Sequence, residues 1–355
     1  MDFHVIFMIL GFSFAAYSVV GNDVIQTLGT FISSNGKTPW YLLWAYTGFI
    51  LISVLFYGWY SGQGVAYGRL NKIPFPEMLQ WWHVLPPLVL LIITRFGIPV
   101  STTFLVLSVF ATKNITSMVT KSALGYLVAF GAAAFIYYVI SRFFEENFIK
   151  KEIKKNEKRI WTVLQWASTG FLWSQWLIQD LANIYVYLPR GKELSSTAFI
   201  ASMVVLVALL GYIFYSRGGK IQKIVTTKTN TADIRSATII DLIYGIVLFV
   251  FKEVNDIPMS TTWVFVGLLA GRELMINLQI NMEAAFKTRL KNEKKKAKRK
   301  GTWVEEEQIN PINHPLYPRY SNTMEILKMI GSDLLKVFAG LVVSLILVLI
   351  ISLVR

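Results

Sequence analysis

Gly97-Ile98-Pro99-Val100-Ser101-Thr102-Thr103 in the first half of the chain has a counterpart, Asp256-Ile257-Pro258-Met259-Ser260-Thr261-Thr262, in the second. Chance could supply one Pro-x-Ser-Thr-Thr. The surroundings of the two make chance a poor account. Upstream of the first lies Asn22-Asp23-Val24, and upstream of the second Gln179-Asp180-Leu181-Ala182-Asn183. The distance from aspartate to proline is 76 positions in one case and 78 in the other. Each aspartate closes an apolar run at the point where amide side chains interrupt it. The chain therefore reads as two copies of one arrangement.

These motifs sit in 355 residues of which 54% are hydrophobic and only 16% charged. A soluble domain carries about 25% charged residues. Mean hydropathy is +0.49. Such a composition excludes a soluble enzyme, a disordered chain and a nucleic-acid-binding domain, even with a net charge of +14. There is no cysteine, which removes disulfides, thiolate catalysis and zinc–sulfur sites. The three histidines, His4, His83 and His314, make no metal cluster.

A membrane-spanning helix needs about 20 mostly apolar residues. Ten apolar runs meet or approach this: Phe3–Val20, Trp40–Tyr60, Met78–Thr94, Ile98–Thr112, Leu124–Ile140, Ile160–Ile178, Thr197–Tyr215, Ala237–Val250, Ile257–Ala270 and Val337–Val354. The first lacks the basic start and small-residue cleavage site of a signal peptide and is expected to persist as a helix. Several runs are short or broken by proline and polar residues, and many contain glycine, which allows close packing in lipid.

Orientation follows from basic residues in the connecting segments. Arg142–Arg159 holds seven and Lys287–Lys300 nine, whereas Ser61–Glu77 holds only Arg69 and Lys72. Arg217–Arg235 holds five, and the counterpart of Lys287–Lys300 is the short Lys113–Lys121 turn. Corresponding segments of the two halves thus differ in charge as if they faced opposite sides. With five crossings per half, both termini lie outside and the basic segments in the cytoplasm. The expected fold is all-α: a polytopic membrane protein of two inverted-topology repeats, about five transmembrane segments each, including broken or re-entrant helices. Its expected organisation is a first repeat over 1–143, a basic linker over 144–159, four segments of the second repeat over 160–280, a basic cytoplasmic loop over 281–328 and a last helix over 329–355. Its expected place is the lipid bilayer of the cell's inner (plasma) membrane.

A carboxylate at membrane depth is costly and generally functional. Asp23 and Asp180, flanked by Asn22, Gln26, Gln179 and Asn183, offer the oxygens that a hard cation such as Na⁺ prefers. Asp23 and Asp180 would be its charged ligands. The competing reading is that each aspartate caps a helix at the interface. The Ser101-Thr102-Thr103 and Ser260-Thr261-Thr262 stretches suit an anion. Serine and threonine cap helix starts, proline fits the first turn, and helix N-termini attract negative charge. The competing reading is two capped or kinked helices without a ligand.

Together these stretches resemble the inorganic phosphate transporter (PiT) family. Its signature is Gly-Ala-Asn-Asp-Val-Ala-Asn-Ala, once per inverted half, followed downstream by Gly-x-Pro-Val-Ser-Thr-Thr-His. Asn22-Asp23-Val24 with Gly29-Thr30 is similar to the first signature, Gln179–Asn183 more loosely to the second, and Gly97–Thr103 and Ile257–Thr262 to the downstream stretches. Trp82 and Pro86 are weakly similar to a Trp-x-x-Ser-Pro segment. The resemblance spans Met1 to about Asn277 and the last helix. It implies uptake of phosphate driven by Na⁺ or H⁺, with the hydroxyls at the anion and the aspartates at the cation, and no other cofactor. Gln26 and Gln179 depart from the family's asparagines, and Phe104 and Trp263 from its histidine. These departures keep sulfate, or another tetrahedral oxyanion, as an alternative substrate. A channel and a non-transporting sensor or scaffold are alternative functions. Homo-oligomeric assembly is left open.

The remaining charges have simpler expectations. Arg95 balances the anion or Asp23, or reaches the interface. Lys252–Glu253 and Arg272–Glu273 are expected at the interface, and Asp241 and Asp333 at helix ends. The eleven tryptophans are expected to form an interfacial belt, with Trp173 and Trp176 near enough to Asp180 to narrow a pathway.

Overall fold

The computed structural model describes residues 2–95, 101–111, 115–140, 153–218, 234–254, 259–299 and 323–354. Pro99, Pro258, Asp256 and most of the basic linker lie outside the described residues. The described chain is all helical, with eleven α-helices: α1 (Phe3–Val19), α2 (Ile25–Ser34), α3 (Trp40–Tyr60), α4 (Leu85–Arg95), α5 (Ser108–Phe110), α6 (Ile115–Ile140), α7 (Lys155–Tyr185), α8 (Ser196–Tyr215), α9 (Ile234–Val254), α10 (Thr261–Arg299) and α11 (Thr323–Val354). Six helical stretches are long and apolar enough to cross a membrane: Phe3–Val24, Trp40–Tyr60, Ile115–Val139, Ser196–Tyr215, Ile234–Glu253 and Thr323–Val354. The chain is a multi-pass integral membrane protein. α7 has the length to cross, but its inward face carries Gln165, Thr169, Gln179, Asp180 and Asn183, which lower its hydropathy.

Hydrogen bonds across the bundle fix which segments share an end. At one end the Leu79 amide donates to His4 Nδ1 at 2.8 Å, and the Tyr187 hydroxyl to the His83 carbonyl at 2.9 Å. At the other, Asn35 donates to Gln165 Oε1 at 2.8 Å and Arg217 to the Thr38 carbonyl at 2.7 Å. α3 and α8 pack antiparallel: Trp40 meets Tyr215, and Trp59 stacks on Phe199 with ring centroids 4.8 Å apart.

Of the five segments expected in the first half, broken or re-entrant ones among them, α4 and α5 do not each cross. His83, just before α4, lies 5.1 Å ring-to-ring from Phe110, the last residue of α5. The chain from α4 to α5 therefore enters the bundle and returns to the same end. Only 11 residues form α4, about 16 Å of helix and half a bilayer. A hairpin replaces two crossings, so the parity that sets the side of each terminus is unchanged.

Packing partners recur between the halves. α4 lies on α1, as α9 lies on α7; α5 and the turn before it lie on α11, as α10 lies on α6. The closest of these, α6 with α10, uses Gly267 and Gly271, where an added Cβ would strike the backbone of Tyr126 and Phe130. Two glycines four apart let two backbones approach.

Three segment readings change. The stretch expected as a basic loop from residue 281 is helical as far as Arg299, and α11 begins at Thr323 rather than 329. The last residues of the expected linker belong to the first turn of α7. The cause in the first case is composition: Glu, Ala, Lys and Arg are strong helix formers, and their charge, which argues against a membrane, does not argue against a helix.

Candidate functional site at the bundle centre

α1 and α2 are one helix interrupted by a π-helical turn, Val20–Val24. The wider turn carries Asn22 and Asp23 into the interior, where Asp23 is only 1% exposed. A second π turn, Thr103–Leu107, follows Ser101 and Thr102 in the hairpin. Single π turns inside α-helices concentrate at functional sites because they displace one residue from the regular ladder. α7 reaches the same centre unbroken, presenting Gln179, Asp180 and Asn183 on one turn.

All twelve residues expected at the site are buried: Asn22, Asp23, Gln26, Ser101, Thr102, Thr103, Gln179, Asp180, Asn183, Ser260, Thr261 and Thr262. A hydrogen-bonded chain joins the two halves. Asn22 donates to Asp23 Oδ1 at 2.6 Å, and Thr102 Oγ1 donates to Asp23 Oδ2 at 2.6 Å. Asn183 Nδ2 reaches Thr102 Oγ1 at 3.0 Å, Thr103 Oγ1 at 3.3 Å and Asp180 Oδ1 at 2.8 Å. Thr103 Oγ1 donates in turn to the carbonyl of Met259 at 3.2 Å, so the two Ser-Thr-Thr stretches touch. The Thr261 side chain faces Asp180.

The two serines have a narrower place. Ser101 Oγ accepts the amide of Phe104 at 3.2 Å, and Ser260 Oγ the amide of Trp263 at 3.3 Å. Each caps the helical turn it begins, as the simpler reading holds for these two. Gln26 Nε2 donates to its neighbour Asn22 Oδ1, at 3.4 Å, and Gln179 Nε2 donates to the Leu248 carbonyl at 2.8 Å. Both stand beside the carboxylates rather than on them. Thr262 is buried in α10.

The carboxylates are not equivalent. Both oxygens of Asp23 are engaged, whereas Asp180 Oδ2, Asn183 Oδ1 and Gln179 Oε1 are buried without a hydrogen-bond partner among the described residues. Buried polar atoms are nearly always satisfied. Three such oxygens on one helical turn, one of them a carboxylate's, are of the type that hard cations take as ligands. The two acids feel each other's charge, and Asp180 also feels buried Arg69. Among the described residues the two buried acids have one buried base near them, and an uncompensated buried charge is strongly unfavourable.

Four residues have buried places that the sequence reading missed. Tyr244 in α9 is buried, donates to the Thr261 carbonyl at 3.1 Å and lies near both aspartates. Asp241, expected at a helix end, is 1% exposed and clamped between Thr30 and Thr169, each hydroxyl 2.5 Å from one carboxylate oxygen. It ties together α2, α7 and α9. Arg272 and Glu273, expected at the interface, are buried as an ion pair, with Arg272 5.3 Å over the Tyr137 ring. Nothing local distinguishes these residues from the chain's other tyrosines and charges; only packing does. Trp173 and Trp176 are also core residues, stacked with centroids 5.0 Å apart. Lys252 and Glu253 form a pair at 3.3 Å on the bundle surface, and Asp333 is buried.

No protein-family model matches the chain, and no curated protein matches it by sequence. A solved structure titled "The sodium-dependent phosphate transporter" superposes on it with a TM-score of 0.55, covering 100% of both chains at 16% sequence identity. At that identity the likeness is one of fold, and it extends from end to end: this chain has the fold of a sodium-dependent phosphate transporter.

Proposed function

We propose that this protein is a secondary active transporter of inorganic phosphate, driven by Na⁺, with its site at the bundle centre. The observation that carries the reading is the chain Asp23–Thr102–Asn183–Asp180, in which hydroxyls and amides from both halves meet beside unsatisfied oxygens. The fold shared with the transporter supports it. Asp180 Oδ2, Asn183 Oδ1 and Gln179 Oε1 take the cation. Thr102, Thr103 and Thr261 take the anion, with Ser101, Ser260 and Thr262 ordering the turns that present them. Hydrogen phosphate carries a proton that needs an acceptor, and sulfate does not. Carboxylates next to the hydroxyls favour phosphate for that reason. Amide oxygens beside the carboxylate, which coordinate Na⁺ but take no proton at neutral pH, favour Na⁺ over H⁺.

The recurring packing pairs support two repeats of opposite orientation, rocking against each other about the centre. An anion entering a negative interior needs accompanying positive charge, since each charge is worth about 2.3 kcal/mol per 100 mV. Labelled phosphate uptake into proteoliposomes tests the reading. Uptake should saturate, accumulate phosphate above equilibrium only with an inward Na⁺ gradient, and resist competition by sulfate. Flux that ignores Na⁺ in favour of a pH gradient assigns H⁺ as the driving ion. Non-saturating flux indicates a channel, and no flux a scaffold.

A further inference from the structure

At the end of the bundle that holds His4 and His83, a half-open cavity of about 390 Å³ lies between the segment after α3 and the segment after α7. Its wall is a run of turns from Gly62 to Asn71, in which Gly62, Gly64 and Gly68 take positive φ angles of 74–78° and Tyr67 one of 50°. Glycine adopts this conformation without cost, so the backbone itself lines the cavity. Its floor is Tyr185, five residues beyond Asp180 on the same helix. Opposite the turns stands Arg190.

Arg190 is held but not neutralised. Its Nη1 donates to the carbonyls of Leu70, at 2.9 Å, and Ile73, and its guanidinium lies 5.4 Å over the Phe75 ring. Its Nε and Nη2 are buried with no hydrogen-bond partner among the described residues. Among the described residues no carboxylate pairs with it. Burial, with no opposing acid, pulls its ionisation down to about 10, so it remains a cation at neutral pH. A fixed guanidinium with two free donors side by side matches two oxygens of a tetrahedral oxyanion.

We propose that this cavity is a second anion site, a vestibule in which Arg190 Nε and Nη2 bind the oxygens of a phosphate group before it reaches the centre. Its role as a vestibule rests on the transport reading; the binding itself does not. It requires no Na⁺, because the charge that holds the anion is the protein's own. The same chemistry would hold the headgroup phosphate of a lipid, and the two sources separate by experiment.

The test is a titration of the purified full chain in detergent with inorganic phosphate, by calorimetry in Na⁺-free buffer. Gln63 and Asn71 line the cavity and are exposed, so Gln63→Glu and Asn71→Asp add a negative charge at constant shape without touching the bonds of Arg190. Wild type should bind phosphate without Na⁺. Each charge variant should weaken that binding roughly tenfold, since like charges a few ångströms apart repel strongly in a part-buried site. Arg190→Lys, which keeps the charge but loses the fork, should weaken it also. Gly131→Ala in α6, where an added Cβ meets nothing within 4 Å, should leave it unchanged. In nanodiscs, loss of free-phosphate binding in phosphatidylglycerol but not in phosphatidylcholine, with phosphatidylglycerol retained by wild type and lost by Gln63→Glu, identifies the headgroup as the occupant. Absence of Na⁺-free binding with no retained lipid, or binding indifferent to both charge variants, overturns the site. Binding that behaves as expected in a protein that carries no phosphate leaves the site standing and removes the transport reading instead.

Discussion

Asp23 and Asp180 occupy matching places in the sequence and unequal places in the structure. Asp23 is saturated by Asn22 and Thr102, while Asp180 keeps one free oxygen. On the proposed reading, both Asp23→Asn and Asp180→Asn should abolish Na⁺-driven accumulation, because each removes one of the two central carboxylate charges. Exchange of phosphate across the membrane should persist in both. The two should differ in Na⁺ response: residual Na⁺ stimulation of exchange is expected in Asp23→Asn and absent in Asp180→Asn, as measured by exchange rate against Na⁺ concentration. Equal behaviour would argue against Asp180 Oδ2 as the cation's oxygen. Thr102→Val keeps the shape and removes the hydroxyl that links Asp23 to Asn183. A hydrogen bond to a charged group contributes about 1.5–3 kcal/mol, so phosphate affinity should fall roughly tenfold or more, and Thr261→Val should act alike. Unchanged phosphate affinity in both would place the anion elsewhere.

Two contacts between elements are open to the same kind of reasoning. Gly267 and Gly271 bring α10 onto the backbone of α6, and an added methyl has no side chain to push aside. Gly271→Ala should destabilise the protein by about 1–3 kcal/mol, the usual cost of overpacking, seen as a lower melting temperature in detergent. Gly131→Ala in the partner helix, where a Cβ meets nothing within 4 Å, is the control and should be neutral. The Thr30–Asp241–Thr169 clamp joins α2, α7 and α9. Removing one hydroxyl by Thr169→Val leaves a buried carboxylate oxygen unpaired, at a cost of about 1–3 kcal/mol. If Asp241 is structural in this way, thermal stability should fall while the Na⁺ dependence of transport stays as in wild type.

For the whole molecule, the basic segments and the bundle's two ends give one consistent orientation. Arg217 and Thr38 meet at one end, and His4, His83 and Arg190 gather near the other. Lysine and arginine tend to be retained on the cytoplasmic side, and on that rule the Arg217 end and the basic part of α10 are expected in the cytoplasm and the Arg190 cavity outside. In this cysteine-free background, cysteine at Lys296 should be shielded from an impermeant thiol reagent in intact cells, and cysteine at Gln63 should react. The reverse pattern would invert the molecule and turn the vestibule into an exit.

Composition alone made the chain a membrane protein, because a surface with so few charges has no stable place in water. Duplication of Asp23 and Asp180, and of the two Ser-Thr-Thr stretches, marked the residues that meet at the centre, because chemistry needing two half-sites leaves its trace twice. What stayed hidden was set by contacts between residues far apart in the chain. An apolar run of α4's length is equally compatible with a short crossing and a half-hairpin; only the return of Phe110 to His83 distinguishes them. Asp241 looks like a helix end until Thr30 and Thr169 arrive from other helices. Arg190, one basic residue in a short turn, becomes an anion ligand only because the turns after α3 bury it without an acid. The sequence by itself determined the environment and the paired motifs, since both are local properties of residue type. The tertiary structure decided which polar atoms are satisfied, since that depends on partners tens to hundreds of positions away.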